Sequence, residues 1–298
     1  MPTGSKKTLL WTLSITSHVS NPLQFSDMRV LSRAFVLIFI ACLQSRADEP
    51  IMNMMPRWSG GWGYEFHYEY RTEDDLLMGS DVLYRDFREQ VEVLHMDWVY
   101  TWKKEIRITA KLPYVINAER EMPDNFGGKI IQKDEGFGDL RLALPLKRYF
   151  NLDGKSGSWT FKPMLRIPLS DKDEYDFYYK ELGTGLGAGY EAETADFFFG
   201  IGSGWWIFHG DRPAELHTTL DFGYNYETKK SNGAIFWETD FHYEDDESKT
   251  LSTGPAFYFN HNDTIHSRVE WKFDLFDHQG ILDHGNGDVL KVGIGWVF

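Results

Sequence analysis

The chain has 298 residues, and its 31 Lys and Arg against 45 Asp and Glu give a formal net charge of −14. This acidic balance argues against a nucleic-acid partner, which would require a basic face. The sequence contains no run of about eighteen or more apolar residues, so it predicts no membrane-spanning helix. However, 11 Trp, 15 Tyr and 22 Phe are many aromatic residues for a chain with a mean hydropathy of −0.43.

The N-terminal region predicts an export signal. Residues 28–47 combine a basic start, an apolar stretch and small residues just before Asp48, which is the pattern of a cleaved secretory signal. A short buried helix is the alternative. Residues 1–27 then form an over-long leader or precede the true start codon. The sequence therefore predicts an N-terminal extension and signal peptide over 1–47 and a mature domain over 48–298.

The only cysteine, Cys42, lies inside this predicted signal. The residues that precede it form a poor lipobox, so attachment of a lipid to Cys42 is the minor alternative. The mature chain is then expected to contain no cysteine. This excludes disulfide bonds, thiol catalysis and cysteine-type zinc sites in the exported protein.

The rest of the chain alternates with period two. Between Trp62 and Arg71 every even position is aromatic, and every odd position is Gly, Glu, His or Arg. On a β-strand these two sets fall on opposite faces. The alternation recurs in about twelve segments, each close to the roughly nine to eleven residues that cross a bilayer at a tilt. The segments are 61–71, 91–102, 105–115, 136–148, 158–169, 181–191, 196–208, 215–227, 233–243, 250–260, 264–276 and 287–298.

The connections between these segments alternate in length. Those after odd-numbered segments are mostly long and those after even-numbered segments are mostly short, as in transmembrane barrels with short periplasmic turns and longer external loops. The long ones are 72–90, 116–135, 170–180 and 277–286. Three connections do not fit: 149–157, 209–214 and 244–249.

A soluble exported β-barrel or sandwich is the alternative fold, with its apolar face turned inward. Such a face would carry mainly Val, Ile and Leu, and its other face would be mixed polar. Here the polar face carries Gly, His and both signs of charge, and aromatic residues concentrate near segment ends, as in interfacial girdles. These aromatic residues are Trp62, Tyr70, Trp98, Trp102, Trp159, Tyr224, Tyr226 and Phe259.

These patterns favour an all-β fold, a single transmembrane antiparallel β-barrel of about twelve strands, with rings and aliphatic side chains facing lipid. The expected location is the outer membrane of a Gram-negative bacterium, in contact with its lipid and lipopolysaccharide. The last segment alternates up to Phe298 and resembles the C-terminal signature that the barrel assembly machinery recognises. An ordinary final strand is the alternative.

Short motifs suggest a family. Leu112-Pro113 ends one segment, Gly136-Phe137-Gly138-Asp139-Leu140 opens the next, and a second block runs from Ile167-Pro168 to Leu182-Gly183-Thr184-Gly185. In this order the motifs resemble the outer-membrane transporter family associated with the meta-cleavage pathway of phenol degradation. The sequence departs from the family pattern at 168–171, where Pro-Leu-Ser-Asp replaces Pro-Thr-Gly-Asp. The resemblance covers most of 60–298 and implies a small non-enzymatic channel for hydrophobic or aromatic solutes.

Gly136-Phe137-Gly138-Asp139 would also fit a phosphate-binding loop, but such a loop leads into a helix. Leu140 to Lys147 alternates as a strand, so the glycines are more simply explained by a bend or by a bulky neighbour.

Ionisable residues of the polar face are the main functional candidates. Basic ones concentrate in the third to fifth segments, and acids with histidines concentrate in the eighth and ninth. This split would set a field across a narrow pore and orient a polar or anionic solute. Alternatively, the charges neutralise one another and fill the interior. The predicted pore-lining residues are Arg107, Lys111, Asp139, Arg141, Lys162, Arg166, His217, Asp221, Glu238, Asp240, His242, Arg268, Glu270 and Lys272.

Catalysis is a less favoured alternative. Asp240 and His242 share a strand face about 7 Å apart, but no nucleophile accompanies them. Ser267 follows His266 directly, so their side chains point to opposite faces. The sequence predicts no enzyme and no cofactor, and leaves a lipid hydrolase or an adhesive barrel acting through its loops as alternatives.

The sequence also predicts no metal site. The acidic runs at 73–75, 171–174 and 244–247 lack the spacing of a calcium loop. His278 and His284 are expected to be ordinary surface histidines.

Overall fold

A computed structural model describes residues 61–78, 81–103, 105–123, 128–152, 155–169, 181–194, 196–227, 232–246, 248–279 and 282–298. All regular elements in these ranges are β-strands. No helix among the described residues is long and apolar enough to cross a membrane. The predicted export signal over 28–47, with Cys42, lies outside the described residues.

The strand segments are β1 (Gly61–Met78), β2 (Asp81–Lys103), β3 (Ile106–Pro123), β4 (Lys129–Phe137), β5 (Leu140–Ala143), β6 (Leu146–Leu152), β7 (Lys155–Ile167), β8 (Gly183–Glu193), β9 (Phe197–Phe208), β10 (Glu215–Glu227), β11 (Asn232–Glu244), β12 (Lys249–Asn260), β13 (Ile265–Gln279) and β14 (Leu282–Val297). β4, β5 and β6 follow one another between β3 and β7, and among the described strands β4 pairs with β3 alone. They are three pieces of one barrel strand.

With these pieces counted once, twelve antiparallel strands form a closed barrel. Each strand pairs with its neighbours in sequence, and β14 returns to pair with β1 from Gly63↔Val297 to Leu77↔Asp283. Closure leaves no unpaired sheet edge. The predicted all-β barrel of about twelve strands is therefore confirmed.

The alternation in the sequence separates the two faces of the barrel wall. On β1, Glu65 and Glu69 are 7% and 6% exposed, whereas Trp62 is 51% exposed. Large apolar side chains cover the outer face around the barrel, and we call this set the aromatic belt. Its exposed rings include Trp62, Phe66, Tyr68, Trp102, Trp159, Phe161, Phe197, Trp205, Phe222, Tyr224, Trp237 and Trp271.

We call the end at which β1 begins the near rim, and the end at which β1 connects to β2 the far rim. Pairs of rings lie side by side on the outer surface of the near rim. The centroids of Trp62 and Tyr100 are 4.7 Å apart, and those of Trp159 and Tyr190 are 4.6 Å apart. Aromatic side chains with polar tips favour the boundary between lipid and water. The near rim therefore carries the predicted kind of girdle.

Some rings face the interior, which corrects the prediction that they all face outward. They are Phe198, Trp206, Phe208, Phe236 and Tyr258. Glycines of neighbouring strands make room for them: a Cβ atom on Gly185 would lie 2.8 Å from the ring of Trp206, and one on Gly223 would lie 2.6 Å from the ring of Phe198. The interior is thus partly filled with side chains.

Three of the predicted long loops are wrong. β1 and β2 pair through 72–90, β3 and β4 pair through most of 116–135, and β13 and β14 pair through most of 277–286. Backbone hydrogen bonds continue the sheet there without an alternating pattern of side chains, because polar residues are acceptable on both faces outside an apolar layer. The strands extend the barrel wall beyond the aromatic belt at the far rim.

The motif formed by Leu112-Pro113 and residues 136–140 shapes one place in the wall. The backbone N–H of Gly138 donates to the carbonyl oxygen of Pro113 at 2.9 Å, which joins the two parts of the motif. Gly136 has φ 122°, a value that favours glycine. The strand is interrupted after Phe137 and resumes at Leu140. These glycines bend a strand and do not open a helix, as the sequence analysis predicts.

Candidate functional site

The inner face of the barrel is densely charged. The predicted residues Arg107, Asp139 and Arg166 are 3%, 0% and 0% exposed, and most of the others on the predicted set are buried or half-buried. They lie on the strand face opposite the aromatic belt and form several separate clusters. Their role as pore-lining residues stays a prediction.

The largest cluster connects β11 with β13, across β12. Arg268 donates to Glu238 at 2.6 Å and lies 2.5 Å from Glu270. Lys272 contacts Asp240 directly and lies 3.4 Å from Glu238. We call these five residues the β11–β13 ladder. Each of the three acids contacts at least one of the two cations, so most of the charge is compensated inside the wall.

A second cluster joins the first three strands. His67 lies 2.8 Å from Glu65 and 3.2 Å from Asp97, and Lys111 of β3 approaches Asp97 to 2.9 Å. Lys111 is 55% exposed, so its ammonium group is also accessible from the interior space. The ion pair with Asp97 therefore compensates the charge of Lys111, one of the predicted basic residues.

Arg166 is held by aromatic rings and an acid. Its guanidinium carbon lies 4.7 Å from the ring centroid of Trp206 and 5.0 Å from that of Phe208, both on β9. It also approaches Glu215 of β10 at 3.2 Å. A planar guanidinium between rings and a carboxylate is fixed in orientation. Arg166 therefore acts as a rigid part of the inner wall.

Arg141 of β5 and Lys162 of β7 differ from Lys111 and Arg166 in their lack of an acidic partner. Among the described residues neither makes an ion pair, and the Nε atom of Arg141 is buried without a hydrogen-bond partner. Lys162 lies within electrostatic range of two further cations, Lys111 and Lys147. We call Arg141 and Lys162 the cationic patch, because their charges are not cancelled by a bonded acid.

A bare stretch of wall adjoins the cationic patch. Gly187 and Gly189 of β8 pair with Gly204 and Gly202 of β9, with Lys162 next to Gly187. A Cβ atom on Gly189 would meet nothing closer than 3.4 Å, and one on Gly202 would meet only the Thr219 hydroxyl, at 3.2 Å. We call these glycines the glycine wall.

The other side of the glycine wall is acidic. His217 of β10 is the register partner of Gly204, and Asp221 is the register partner of Gly200. Asp221 is 8% exposed, has a carboxylate oxygen without a hydrogen bond and lies opposite Glu238 of β11. Cations on β5 and β7 and acids on β10 and β11 thus flank the glycines. This is the charge division that the sequence predicts.

A last cluster lies at the far rim, beyond the aromatic belt. His284 Nδ1 is 2.7 Å from Glu73 Oε2, and Asp277 accepts a hydrogen bond from Thr250 at 3.0 Å. Burial would raise the pKa of Glu73, but the hydrogen bond to His284 and the charges of Arg71, His284 and Arg120 together outweigh it and lower that pKa. Burial, together with the charge of Glu73, raises the pKa of Asp277.

His284 is therefore not an ordinary surface histidine, since its side chain is 7% exposed. Burial would lower the pKa of His284, but the bond to Glu73 and the charges of Glu73 and Asp277 raise it above its usual value. The prediction for this residue is wrong because the last connection forms a strand hairpin that turns His284 inward.

Several interior residues lie outside the predicted set. Glu215 accepts from Arg166, and Glu191 accepts from Lys147 at 2.9 Å, yet neither acid is in the predicted set. Both lie on the polar face in the alternating pattern of their strands, so the sequence pattern could have identified them as interior residues. The inward rings of Trp206 and Phe208 break that pattern, and the only sign of them is the run of alternate glycines in β8.

One serine–histidine contact is present. His261 Nε2 lies 2.9 Å from Ser267 Oγ at the β12–β13 turn. The predicted pair of Asp240 and His242 is divided, because Asp240 joins the β11–β13 ladder and His242 lies 3.4 Å from Glu215. A hydrolase needs a nucleophile, a base and an orienting group together, and the Asp240–His242 pair does not supply them.

Solved structures of other barrels resemble this fold. A crystal structure of an outer membrane channel from Pseudomonas putida F1 matches with a TM-score of 0.63 and 15% identity, over 85% of this chain and 100% of that chain. The chain shares the fold of this channel. At this identity the likeness concerns the fold alone.

Two other solved barrels match less well. The β domain of the Bordetella autotransporter BrkA has a TM-score of 0.45 and 13% identity, over 81% of this chain and 100% of that chain. The CymD monoaromatic hydrocarbon channel has a TM-score of 0.44 and 10% identity, over 81% of this chain and 90% of that chain. No family model and no curated protein matches the chain.

Proposed function

We propose that the protein is a channel in the outer membrane of a Gram-negative bacterium, with the near rim facing the periplasm. The observation that carries this proposal is the closed barrel whose outer face is the aromatic belt and whose inner face is charged. In a bilayer, a closed strand array satisfies every backbone hydrogen bond. Side chains that alternate between apolar and charged then match lipid outside and water inside.

The proposed solutes are small and hydrophobic or aromatic, as the family resemblance implies. The glycine wall supports this, because the backbone at Gly189 and Gly202 is bare and leaves space for a flat molecule, whereas the side chains of Lys162 and Met164 cover Gly187 and Gly204. The cationic patch adds a preference for a negative group on the solute, since Arg141 and Lys162 have no bonded acid among the described residues. The solute would pass between this patch and the acids of β10 and β11.

The membrane location is tested by a substitution on the belt. Phe222 is 56% exposed on the outer face of β10. Phe222→Arg is expected to lower the free energy of unfolding in lipid vesicles by about 2–4 kcal/mol, because the charge must enter the hydrocarbon layer. Denaturant titration followed by electrophoresis with and without boiling measures the effect. Phe222→Leu is the control and should change little. An equal tolerance of Arg and Leu would contradict a membrane-embedded wall.

The channel itself is tested by the cationic patch. The double variant Arg141→Gln, Lys162→Gln is expected to lower the ratio of chloride to potassium permeability, because two uncompensated positive charges leave the passage. The reversal potential of single channels under a KCl gradient measures this ratio. The control is Lys133→Gln, since Lys133 is 64% exposed and paired with Glu119 beyond the belt. No conductance from the wild type would contradict the channel, and an unchanged ratio would contradict the role of the cationic patch in its selectivity.

The other two functions remain distinguishable. A lipid hydrolase would require lipid turnover that depends on His261 and Ser267, which lie 2.9 Å apart. An adhesive barrel would act through the far rim and would show no conductance. In both cases the barrel would assemble normally, so assembly alone does not decide between the three functions.

A further inference from the structure

The far-rim cluster brings together three side chains from three strands. Glu73 lies on β1, Asp277 on β13 and His284 on β14, and Asp277 and His284 are register partners. One ligand atom from each residue lies within 4.8 Å of the other two, and His284 Nδ1 lies 2.7 Å from Glu73 Oε2. An imidazole and two carboxylates therefore converge on one point.

This point is buried and its charge is incompletely compensated. Glu73 and Asp277 are 6% and 5% exposed, and Asp277 makes no ion pair among the described residues. Arg71 and Arg120 lie within electrostatic range of Glu73, and Arg71 also within range of Asp277. Both arginines also contact other acids, since Arg71 lies 3.7 Å from Glu69 and Arg120 lies 2.5 Å from Glu89. Two buried carboxylates at this distance repel each other unless a cation lies between them.

The identity of the donors selects the cation. Calcium and magnesium prefer oxygen ligands alone, whereas an imidazole nitrogen with carboxylate oxygens suits zinc and its first-row neighbours. Zinc holds such atoms at about 2.0–2.2 Å, so its ligand atoms lie at most about 4.3 Å from one another. The three ligand atoms lie within 4.8 Å of one another, so they need to move only slightly closer together to reach that geometry.

The surroundings already orient two of the donors. The hydroxyl of Thr250 donates to Asp277 Oδ1 at 3.0 Å, and the ring of Phe87 meets the ring of His284 edge-on with centroids 5.1 Å apart. Groups that hold ligands in this way contribute to metal affinity.

We propose that Glu73, Asp277 and His284 form a binding site for a divalent first-row metal ion, with zinc as its best-suited occupant. The ion would join β1, β13 and β14 beyond the aromatic belt, where the first strand of the barrel meets the last two. The site is independent of the proposed channel activity, since it lies beyond the belt, apart from the cationic patch and the glycine wall.

The experiment titrates zinc chloride into the detergent-solubilised full chain, purified without a histidine tag, by calorimetry. We expect one zinc per chain for the wild type, and His284→Ala should weaken binding at least about ten-fold because a ligand is lost. His278→Ala is the matched control, since it removes a histidine of the same hairpin that lies outside the cluster. It should bind zinc like the wild type.

A second measurement tests the proposal even if one of the variants folds poorly. Zinc should raise the thermal unfolding temperature of the wild type and of His278→Ala, but not that of Asp277→Asn. If the wild type binds no zinc, or if His284→Ala and Asp277→Asn both respond to zinc as the wild type does, the proposal is overturned. Neither result depends on conductance, so the channel proposal stands or falls separately.

Discussion

Gly189→Phe is expected to reduce the single-channel conductance several-fold while the barrel still assembles. Gly189 faces the interior from the glycine wall, and a Cβ atom there meets nothing closer than 3.4 Å. A benzyl group at this position can therefore enter the passage without displacing the backbone. Because interior side chains of a small barrel determine how much space remains, the ring should narrow the passage beside the cationic patch. Planar-bilayer recordings measure the effect.

The preceding residue provides the control. Ala188 lies on the opposite face of β8, within the lipid-facing surface. Ala188→Phe adds the same ring on the outside, so it should leave conductance unchanged. Equal conductance of the two variants would show that solutes and ions do not pass along the glycine wall. Loss of conductance in both would instead indicate damage to the strand.

Arg268→Ala is expected to destabilise the barrel by about 3–5 kcal/mol, because it removes the closest cation of the buried acids Glu238 and Glu270 and leaves them Lys272 at 3.4 and 3.6 Å. Arg268 is 8% exposed and contacts Glu238 at 2.6 Å and Glu270 at 2.5 Å, and its guanidinium carbon lies 5.0 Å from the ring centroid of Phe236. Truncation removes these contacts together. Unfolding of the protein in lipid vesicles by guanidinium chloride measures the loss of stability.

An exposed ion pair gives the contrast. Lys133 and Glu119 lie 2.6 Å apart, but their side chains are 64% and 29% exposed. Lys133→Ala should cost at most about 1 kcal/mol, since water replaces the lost partner. If the two substitutions cost the same, the β11–β13 ladder is solvated in the folded barrel and its burial has no energetic consequence.

The sequence predicts the fold well where the chain crosses the aromatic belt. Period-two alternation has one physical cause there, namely lipid on one face and a polar interior on the other, and it identifies β1 from Trp62 to Arg71 directly. At the far rim the two faces of a strand do not face such different surroundings. Between 72 and 90, acids and apolar residues occupy both faces, so the pattern cannot reveal that β1 and β2 continue to pair by backbone hydrogen bonds.

The candidate site is predicted in outline but not in detail. The division into basic and acidic strands is visible in the sequence, and it reappears on the two sides of the glycine wall. Which charges form ion pairs depends on contacts between strands that the sequence does not show. Lys111 approaches Asp97 to 2.9 Å, whereas Arg141, its register partner on β5, makes no ion pair among the described residues. Likewise, His284 joins Glu73 across more than two hundred residues of sequence, and spacing rules cannot detect that.

The pairing of β1 with β14 has a consequence for how the barrel forms. Gly63 and Val297 are register partners, so the ring of strands is completed by two segments from opposite ends of the described chain. Bringing such distant segments together costs much loop-closure entropy before any pairing repays it, and folding should be slow. Until that moment both β1 and β14 are open edges that can pair with other chains. We therefore expect the rate at which β1 pairs with β14 to determine how much of the protein inserts into the membrane and how much aggregates.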